Sequence, residues 1–238
     1  MTQPFRGSKE YKSLLFPHWQ CRLAEEGDHM LFKAPFTMDV VSSAPFGGGR
    51  RTADHLINWK VPLSYDCSDP EAMMRRQLVF WGYPSERCVG LQTAAHLTHA
   101  SFAEEEGDGY KLLVCSTAGT SNGARAGVAR TTFPAYRAGT INTFILLEGR
   151  LSDAAMINAV ITATEAKTAA LQELNILDRE NGLQATGTTT DAIAVAVTQT
   201  GPSELTHQYA GVATTWGNAV GRLVYATVHE AVRTQKED

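Results

Sequence analysis

The sequence has few of the features that mark metal, disulfide or membrane proteins. Its 238 residues contain four cysteines, none spaced as C-x-x-C, which argues against a zinc site or a disulfide framework. No apolar run approaches the roughly 18 residues that a membrane-spanning helix needs. The first residues also lack the basic-then-apolar layout of a secretory signal. We therefore expect a cytoplasmic protein with no membrane partner.

The chain also lacks a large excess of acidic or basic residues. The chain has 21 Lys and Arg against 25 Asp and Glu, a net charge of −4, and no block of five basic residues. This balance argues against a nucleic-acid partner held through a charged face. A hydrophobic fraction of 43% and a charged fraction of 19% are typical of a globular domain with a sizeable core.

The common catalytic motifs are missing. The sequence contains no G-x-S-x-G, no H-E-x-x-H and no G-x-G-x-x-G after a predicted strand. His96 and His99 are close enough in sequence to share a helix face, but no carboxylate or third histidine accompanies them at a useful spacing. We therefore expect no metal site.

What the sequence does contain is three turns rich in glycine and hydroxyl residues. Residues 116–127 follow an apolar run and carry Thr120, Ser121, Asn122 and Arg125. Residues 46–51 read F-G-G-G-R-R after two serines, and residues 185–191 read A-T-G-T-T-T-D before the apolar run at 192–197. Such polar loops suit a ligand or an oxyanion. The alternative is tight turns whose side chains only satisfy their own backbone.

The hydrophobic pattern predicts one α+β domain. We expect a single layered domain in which a mixed or antiparallel sheet is packed by a long central helix and a C-terminal helix. Ser152 is a good N-cap for the central helix, which should run to about residue 177, and the last helix should span 216–233. A shorter helix is predicted at 70–80, and a charged hairpin turn at 104–109. Strands are predicted at 14–16, 30–32, 36–45, 55–61, 87–95, 98–103, 110–115, 138–147 and 192–197.

Two acids are candidate general bases. Glu165 lies in the central helix, near enough to its apolar stripe to be partly covered, and Asp191 lies between a hydroxyl-rich turn and a buried strand. A carboxylate in such a place must be hydrogen-bonded or perturbed, because burying it bare is too costly. The alternatives are that Asp191 caps its own turn and that Glu165 pairs with Lys167.

Taken in order along the chain, these motifs resemble the adenosylcobinamide amidohydrolases of corrinoid salvage. The resemblance runs from about residue 36 to the C-terminus, with Gly123 where an alanine is expected. Residues 1–35 match less well and are taken as an N-terminal segment of the same fold, with the amidohydrolase domain at 36–238. The matching stretches include residues 41–44, 47–49, 90–95, 117–127, 139–142, 151–171 and 185–192.

The resemblance implies hydrolysis of the amide that carries the aminopropanol arm of adenosylcobinamide. The product would be adenosylcobyric acid, which re-enters cobalamin synthesis. The expected partner is a small-molecule corrinoid, and no cofactor would be required because the corrinoid is itself the substrate. The sequence leaves open whether the protein forms a homo-oligomer. Two other classes also remain open: a corrinoid-binding protein without turnover, and an autoprocessing hydrolase that uses an internal Ser or Thr freed by cleavage.

Chemistry then assigns the roles. Amide hydrolysis needs a base, a nucleophile and donors for the oxyanion. We place the base on Asp191 rather than Glu165, with direct attack by water; the alternative is a hydroxyl nucleophile, Ser42, Ser43 or one of Thr188–Thr190. Asn122 and the backbone of the triple glycine should converge on the oxyanion, and Trp59 or Trp216 should pack on the substrate. The expected substrate-binding residues are Ser42, Gly47, Gly48, Gly49, Asn58, Thr120, Ser121, Arg125, Asn142, Thr188 and Thr190.

Overall fold

The fold is taken from a computed structural model that describes residues 2–62, 64, 69–132 and 139–237. Within these residues there are three α-helices: α1 (Pro70–Trp81), α2 (Asp153–Glu173) and α3 (Thr215–Thr234). The strands are β1 (Glu10–Tyr11), β2 (Gln20–Leu23), β3 (His29–Ser42), β4 (Gly49–Lys60), β5 (Cys88–Thr93), β6 (Ser101–Gly107), β7 (Tyr110–Ala118), β8 (Gly123–Ala124), β9 (Ile141–Glu148), β10 (Arg150–Leu151), β11 (Gly187–Thr188), β12 (Ala192–Val197) and β13 (Thr206–His207).

Nine of these strands form one mixed sheet organised around the long strand β3. On one side β3 pairs with β4, antiparallel, and β4 pairs with β5 in parallel. On the other side β2 pairs with the first part of β3 and β12 with its last residues. From β12 the sheet continues to β9 in parallel, then to β7 and β6, both antiparallel. The α+β class and the mixed sheet are confirmed.

Three apolar clusters show how the sheet folds over itself. One face of β7, β9 and β12 packs against α2 and α3, with Ile145 and Val224 in its core. The opposite face of the same strands packs against β3, β4 and β5, as Phe144 and Leu91 illustrate. A third cluster joins the outer face of β3 and β4 to Met74 of α1. The folded sheet therefore lies between α1 on one side and α2 with α3 on the other.

The central helix begins where the sequence predicts and ends slightly earlier. Ser152 accepts a hydrogen bond from the N–H of Ala155. Asp153 occupies the first turn, where the helix dipole stabilises a carboxylate. The helix ends at Glu173, before residue 177, because Asn175 adopts a left-handed conformation with φ of 51°. None of the described helices combines the length and the apolar character needed to cross a bilayer.

Several predicted local features are wrong. Residues 14–16 lie outside the strands, and the strand that precedes β3 is β2 instead. Glu104 and Glu105 lie within β6 rather than in a turn, because Tyr11 and Arg222 bind their carboxylates and make a charged edge strand tolerable. The predicted strand at 138–147 includes Ala138, which lies outside the described residues, as does Cys67. The other three cysteines are buried free thiols.

Candidate active site

A large cleft opens where β3 and β7 end and where β9 and β12 begin. Its volume is about 1420 Å³, which exceeds the ~300–1,000 Å³ of ordinary small-ligand pockets. Two of the three predicted polar turns, together with one face of α2, supply much of its lining, and Pro70 at the start of α1 reaches its edge. The lining includes Ser43, Gln92, Thr93, Ser121, Asn122, Arg125, Arg130, Thr140, Lys167, Thr188, Thr190 and Asp191.

Asp191 is an acid of this cleft whose carboxylate is fully engaged in hydrogen bonds. Its Oδ1 accepts hydrogen bonds from the Ile141 N–H at 3.0 Å and the Thr188 hydroxyl at 2.5 Å. Its Oδ2 accepts from the Lys167 ammonium at 2.5 Å and the Thr188 N–H at 2.9 Å. A carboxylate has about four acceptor sites, and the protein fills all four. The expectation that Asp191 directly holds a water therefore does not match this arrangement.

The Lys167–Asp191 ion pair depends on a glycine. The exposed fractions of the two side chains are 9% and 11%, so the pair is largely shielded from solvent and weakly screened by salt. A Cβ on Gly187 would lie 2.4 Å from Asp191 Oδ2 and 2.7 Å from Lys167 Nζ. Any larger residue at this position would therefore push the pair apart.

Asn122 organises its own loop. Its Nδ2 donates to the Gly139 carbonyl at 2.6 Å and to Thr189 Oγ1 at 2.7 Å. Both amide hydrogens are therefore committed, and the buried Oδ1 has no partner among the described residues. In this arrangement Asn122 holds two turns together and has no N–H left for an oxyanion.

The triple-glycine turn lies apart from that loop. Gly47 and Gly48 line a second pocket of about 450 Å³ with Arg51 and Arg75, and Pro45 is shared between the two pockets. The structure therefore places Asn122 and the glycine backbone in different pockets, and the predicted oxyanion site is not assembled here. The reason is that β3 ends before the glycines, so the turn projects toward α1.

The two serines before that turn point in opposite directions. Ser42 is buried; its hydroxyl donates to the Ile193 carbonyl and accepts from the Ala44 N–H. Ser43 is exposed in the cleft and accepts a hydrogen bond from the Ile193 N–H at 3.0 Å. Ser42 therefore stabilises the β3–β12 junction, and Ser43 presents its hydroxyl to the cleft.

The two predicted asparagines lie beneath the cleft floor. Asn142 Nδ2 donates to Asn58 Oδ1 at 2.7 Å, and Asn58 Nδ2 donates to Thr117 Oγ1 at 2.9 Å. Asn58 and Asn142 are at most 1% exposed, and Asn142 also donates to the carbonyl of the cleft residue Gln92. A direct bond to a substrate would require them to leave this network, which instead ties the two halves of the sheet together.

Thr120 is likewise engaged with protein. Its N–H and its hydroxyl both donate to Gln235 Oε1, at 2.9 and 3.0 Å. Gln235 is the C-cap of α3, so this pair anchors the loop that carries Ser121 and Asn122 to the last helix. Ser121 itself lines the cleft.

One rim of the cleft is held by Asp178. This buried carboxylate accepts from the N–H groups of Arg125 and Glu180 and from the Arg130 guanidinium, each at 3.0 Å. Burial alone would raise the pKa of Asp178, but these donors outweigh it and lower the pKa below its ordinary value. Arg125 also donates to the Gln184 carbonyl. The rim is thereby fixed to the turn that follows α2.

Three further predictions need correction. Glu165 is exposed on α2 and does not line the cleft, because it faces away from the side of α2 that carries Lys167. Trp216 is fully buried in the core beneath α3. Trp59 stands edge-on to Trp81 with ring centroids 6.0 Å apart, in the cluster under α1. In these positions neither indole reaches the cleft.

His96 and His99 lie close together but away from the cleft lining. Their ring centroids are 5.6 Å apart, and His99 is held by Thr98 and Arg6. Within the part of the chain that the structure describes, no three His, Cys, Asp or Glu residues are grouped so as to hold a metal ion.

Sequence reasoning missed the partners of Asp191. The sequence suggests Lys167 only as a partner of Glu165, and it suggests no role for Gly187. A small-residue helix face gives no local sign that its lysine reaches a turn 24 residues later. The placement of a glycine between a lysine and an acid is visible only in three dimensions.

Two solved structures share a distant likeness with the chain. A β-aminopeptidase of a Burkholderia species has a TM-score of 0.40 and 11% identity, covering 86% of this chain and 77% of that one. A protein of Pyrococcus horikoshii has a TM-score of 0.42 and 9% identity, covering 87% and 77%.

Sequence comparison is more specific. An adenosylcobinamide amidohydrolase of Methanosarcina mazei is 31% identical over 201 residues, which cover 82% of this chain and 90% of that protein. An uncharacterised protein of Methanocaldococcus jannaschii is 34% identical over 172 residues, covering 65% of this chain and 66% of its own. The family described as adenosylcobinamide amidohydrolase, CbiZ, matches residues 19–238. The chain therefore belongs to the adenosylcobinamide amidohydrolase family.

Proposed function

We propose that this protein hydrolyses the aminopropanol amide of adenosylcobinamide to give adenosylcobyric acid for cobalamin salvage. The observation that carries the proposal is the Lys167–Asp191 pair, held with Thr188 in the wall of a 1420 Å³ cleft. The family membership supports the reaction, and the volume of the cleft suits a substrate larger than ordinary metabolites.

The residues of the cleft supply two of the functions that amide hydrolysis needs. Asp191, oriented by two backbone N–H groups, acts as the general base. Lys167 has three N–H donors and gives one to Asp191; the other two have no partner among the described residues. Its charge therefore stabilises the developing oxyanion, which replaces the role we expected of Asn122.

The cleft also offers binding groups for the peripheral amides of a corrinoid. Arg125 and Ser121 lie on its lining together with Thr140 and Thr190. Gly47, Gly48 and Arg51 border the neighbouring pocket, where a substrate that passes Pro45 would extend. We propose no cofactor, since the corrinoid is itself the substrate. Dialysis against EDTA should leave turnover unchanged.

The test is chromatography of adenosylcobinamide before and after incubation with the purified protein. We expect a more acidic corrinoid and one equivalent of free aminopropanol. Saturable binding of the corrinoid without release of the amine would instead support a binding protein and contradict hydrolysis. Intact mass spectrometry serves as a further control, because autoprocessing would yield two fragments in place of the 25.8 kDa chain.

A further inference from the structure

The hydroxyl groups of the cleft differ in what accepts their protons. Thr140 donates to the Thr190 carbonyl and Thr190 to the Gly139 carbonyl, so neither is next to a base. Ser43 is bonded to a backbone N–H, which cannot take a proton. Thr131 donates to Glu180 on the exposed rim. Thr188 donates at 2.5 Å to Asp191, which is largely shielded from solvent.

Among the residues that the structure describes, Thr188 carries the one O–H that is hydrogen-bonded to Asp191 and that this carboxylate can deprotonate. The other three groups bonded to the carboxylate are two backbone N–H groups and the Lys167 ammonium. A water molecule would have to displace one of them, since about four acceptor sites exist and all are filled. We infer that Thr188 is the nucleophile of this enzyme and that catalysis proceeds through a Thr188 ester of the corrinoid acid.

The arrangement meets the general requirements for an activated hydroxyl nucleophile. The base lies within hydrogen-bond reach of the hydroxyl, and a third group, Lys167, orients the base. When the proton moves from Thr188 to Asp191, the negative charge moves from the carboxylate to the substrate oxygen. The Lys167 ammonium therefore lies beside a negative charge both before and after the proton transfer, first on Asp191 and then on the substrate oxygen. The cleft can stabilise the transition state without rearranging.

The reaction balances in two halves. Thr188 Oγ1 bonds to the amide carbon while its proton passes to Asp191 Oδ1 and the carbonyl oxygen becomes an oxyanion. The C–N bond then breaks, and Asp191 returns the proton to the leaving nitrogen, which departs as aminopropanol. Water next attacks the ester carbon and gives its proton to Asp191. The C–Oγ1 bond breaks, Thr188 recovers its proton, and the corrinoid acid leaves.

This inference rests on the proposed function, and the experiment separates the two. Wild-type protein is mixed with adenosylcobinamide, quenched in acid at successive times and examined by intact and peptide mass spectrometry. We expect a corrinoid-acyl adduct on the peptide that contains Thr188. Thr188→Val should reduce turnover by at least about 10³-fold and remove the adduct, whereas Thr188→Ser should keep both.

Controls keep the result interpretable. Thr206→Val makes the same change on an exposed threonine of β13 and should behave as wild type. Corrinoid binding by equilibrium dialysis shows whether Thr188→Val is folded. Thr188→Val turnover above one tenth of wild type, or wild-type turnover with no adduct on Thr188 at any quench time, would overturn the nucleophile. A wild-type protein that releases no aminopropanol would overturn the proposed function instead.

Discussion

Lys167 on α2 and Asp191 before β12 are joined by a 2.5 Å bond between Nζ and Oδ2, with both side chains about nine-tenths buried. The pair links the central helix to the strand that completes the sheet beside β3. It also places a cation and a base at the wall of the cleft. One interaction therefore contributes to the fold and to the proposed chemistry, and substitutions can separate these contributions.

Asp191→Asn should lower kcat by about 10²–10⁴-fold, because it preserves the shape of the side chain and removes its basicity. The dissociation constant for adenosylcobinamide should change little, since the carboxylate is bonded to protein rather than facing the ligand. Steady-state kinetics and equilibrium dialysis measure the two quantities. Near-normal turnover would contradict the assignment of the base.

Lys167→Met should destabilise the protein by about 3–5 kcal/mol, because it leaves a shielded carboxylate without its partner. Lys111→Met is the matched control: its pair with Glu148 is roughly 30% exposed on each side and should be worth about 0–1 kcal/mol. Urea unfolding at neutral pH measures both. Equal effects of the two substitutions would show that the Lys167 pair is not shielded.

The double variant Lys167→Met/Asp191→Asn separates stability from activity. Removing both charges eliminates the unpaired carboxylate, so unfolding free energy should partly recover, whereas turnover should stay low. Stability losses that simply add would argue against direct coupling of the two side chains.

Gly187→Ala should lower turnover by 10²-fold or more, because its Cβ would approach Asp191 Oδ2 to 2.4 Å and Lys167 Nζ to 2.7 Å. Gly7→Ala is the matched control, since a Cβ there meets no atom within 4 Å. Activity assays on both variants, with circular dichroism to check the fold, provide the test. A fully active Gly187→Ala enzyme would mean that the close approach has no catalytic consequence.

Asp178 should make stability depend on acid pH. Its donors lower its pKa in the folded state, so its contribution is fully present above the ordinary value of about 3.9 and is lost as pH falls through the lower folded pKa. Unfolding free energy of wild type should therefore fall toward that of Asp178→Asn below about pH 4. Parallel pH profiles for the two proteins would contradict this expectation.

The helices and the polar turns could be predicted because their signals are local. The Ser152 cap and the proline at the start of α1 both sit where the sequence indicates. The pairing of β3 with β12 could not be predicted, since strand partners depend on residues far apart in the chain. For the same reason the sequence indicated Asp191 as a base but not that Lys167, Thr188 and Ile141 would fill its acceptor sites.

The roles predicted for the asparagines were wrong for a different reason. An amide beside a glycine-rich turn satisfies the same composition rule whether it faces a ligand or a neighbouring strand. Asn58 and Asn142 bond to each other across the folded sheet, and Asn122 bonds to the turns on either side. Burial decides between these roles, and it is a property of the assembled layers.

The position of β12 also affects how the chain is made. Ser42 bonds to the carbonyl of Ile193, 151 residues later, so the last residues of β3 leave the ribosome long before their partner. Until β12 has been synthesised, one edge of β3 has unpaired N–H and C=O groups, which can form hydrogen bonds with other chains. Contacts this distant also slow folding. Nascent chains that stop before β12 should therefore be prone to aggregate, and chaperones that cover strand edges should raise the yield of active protein.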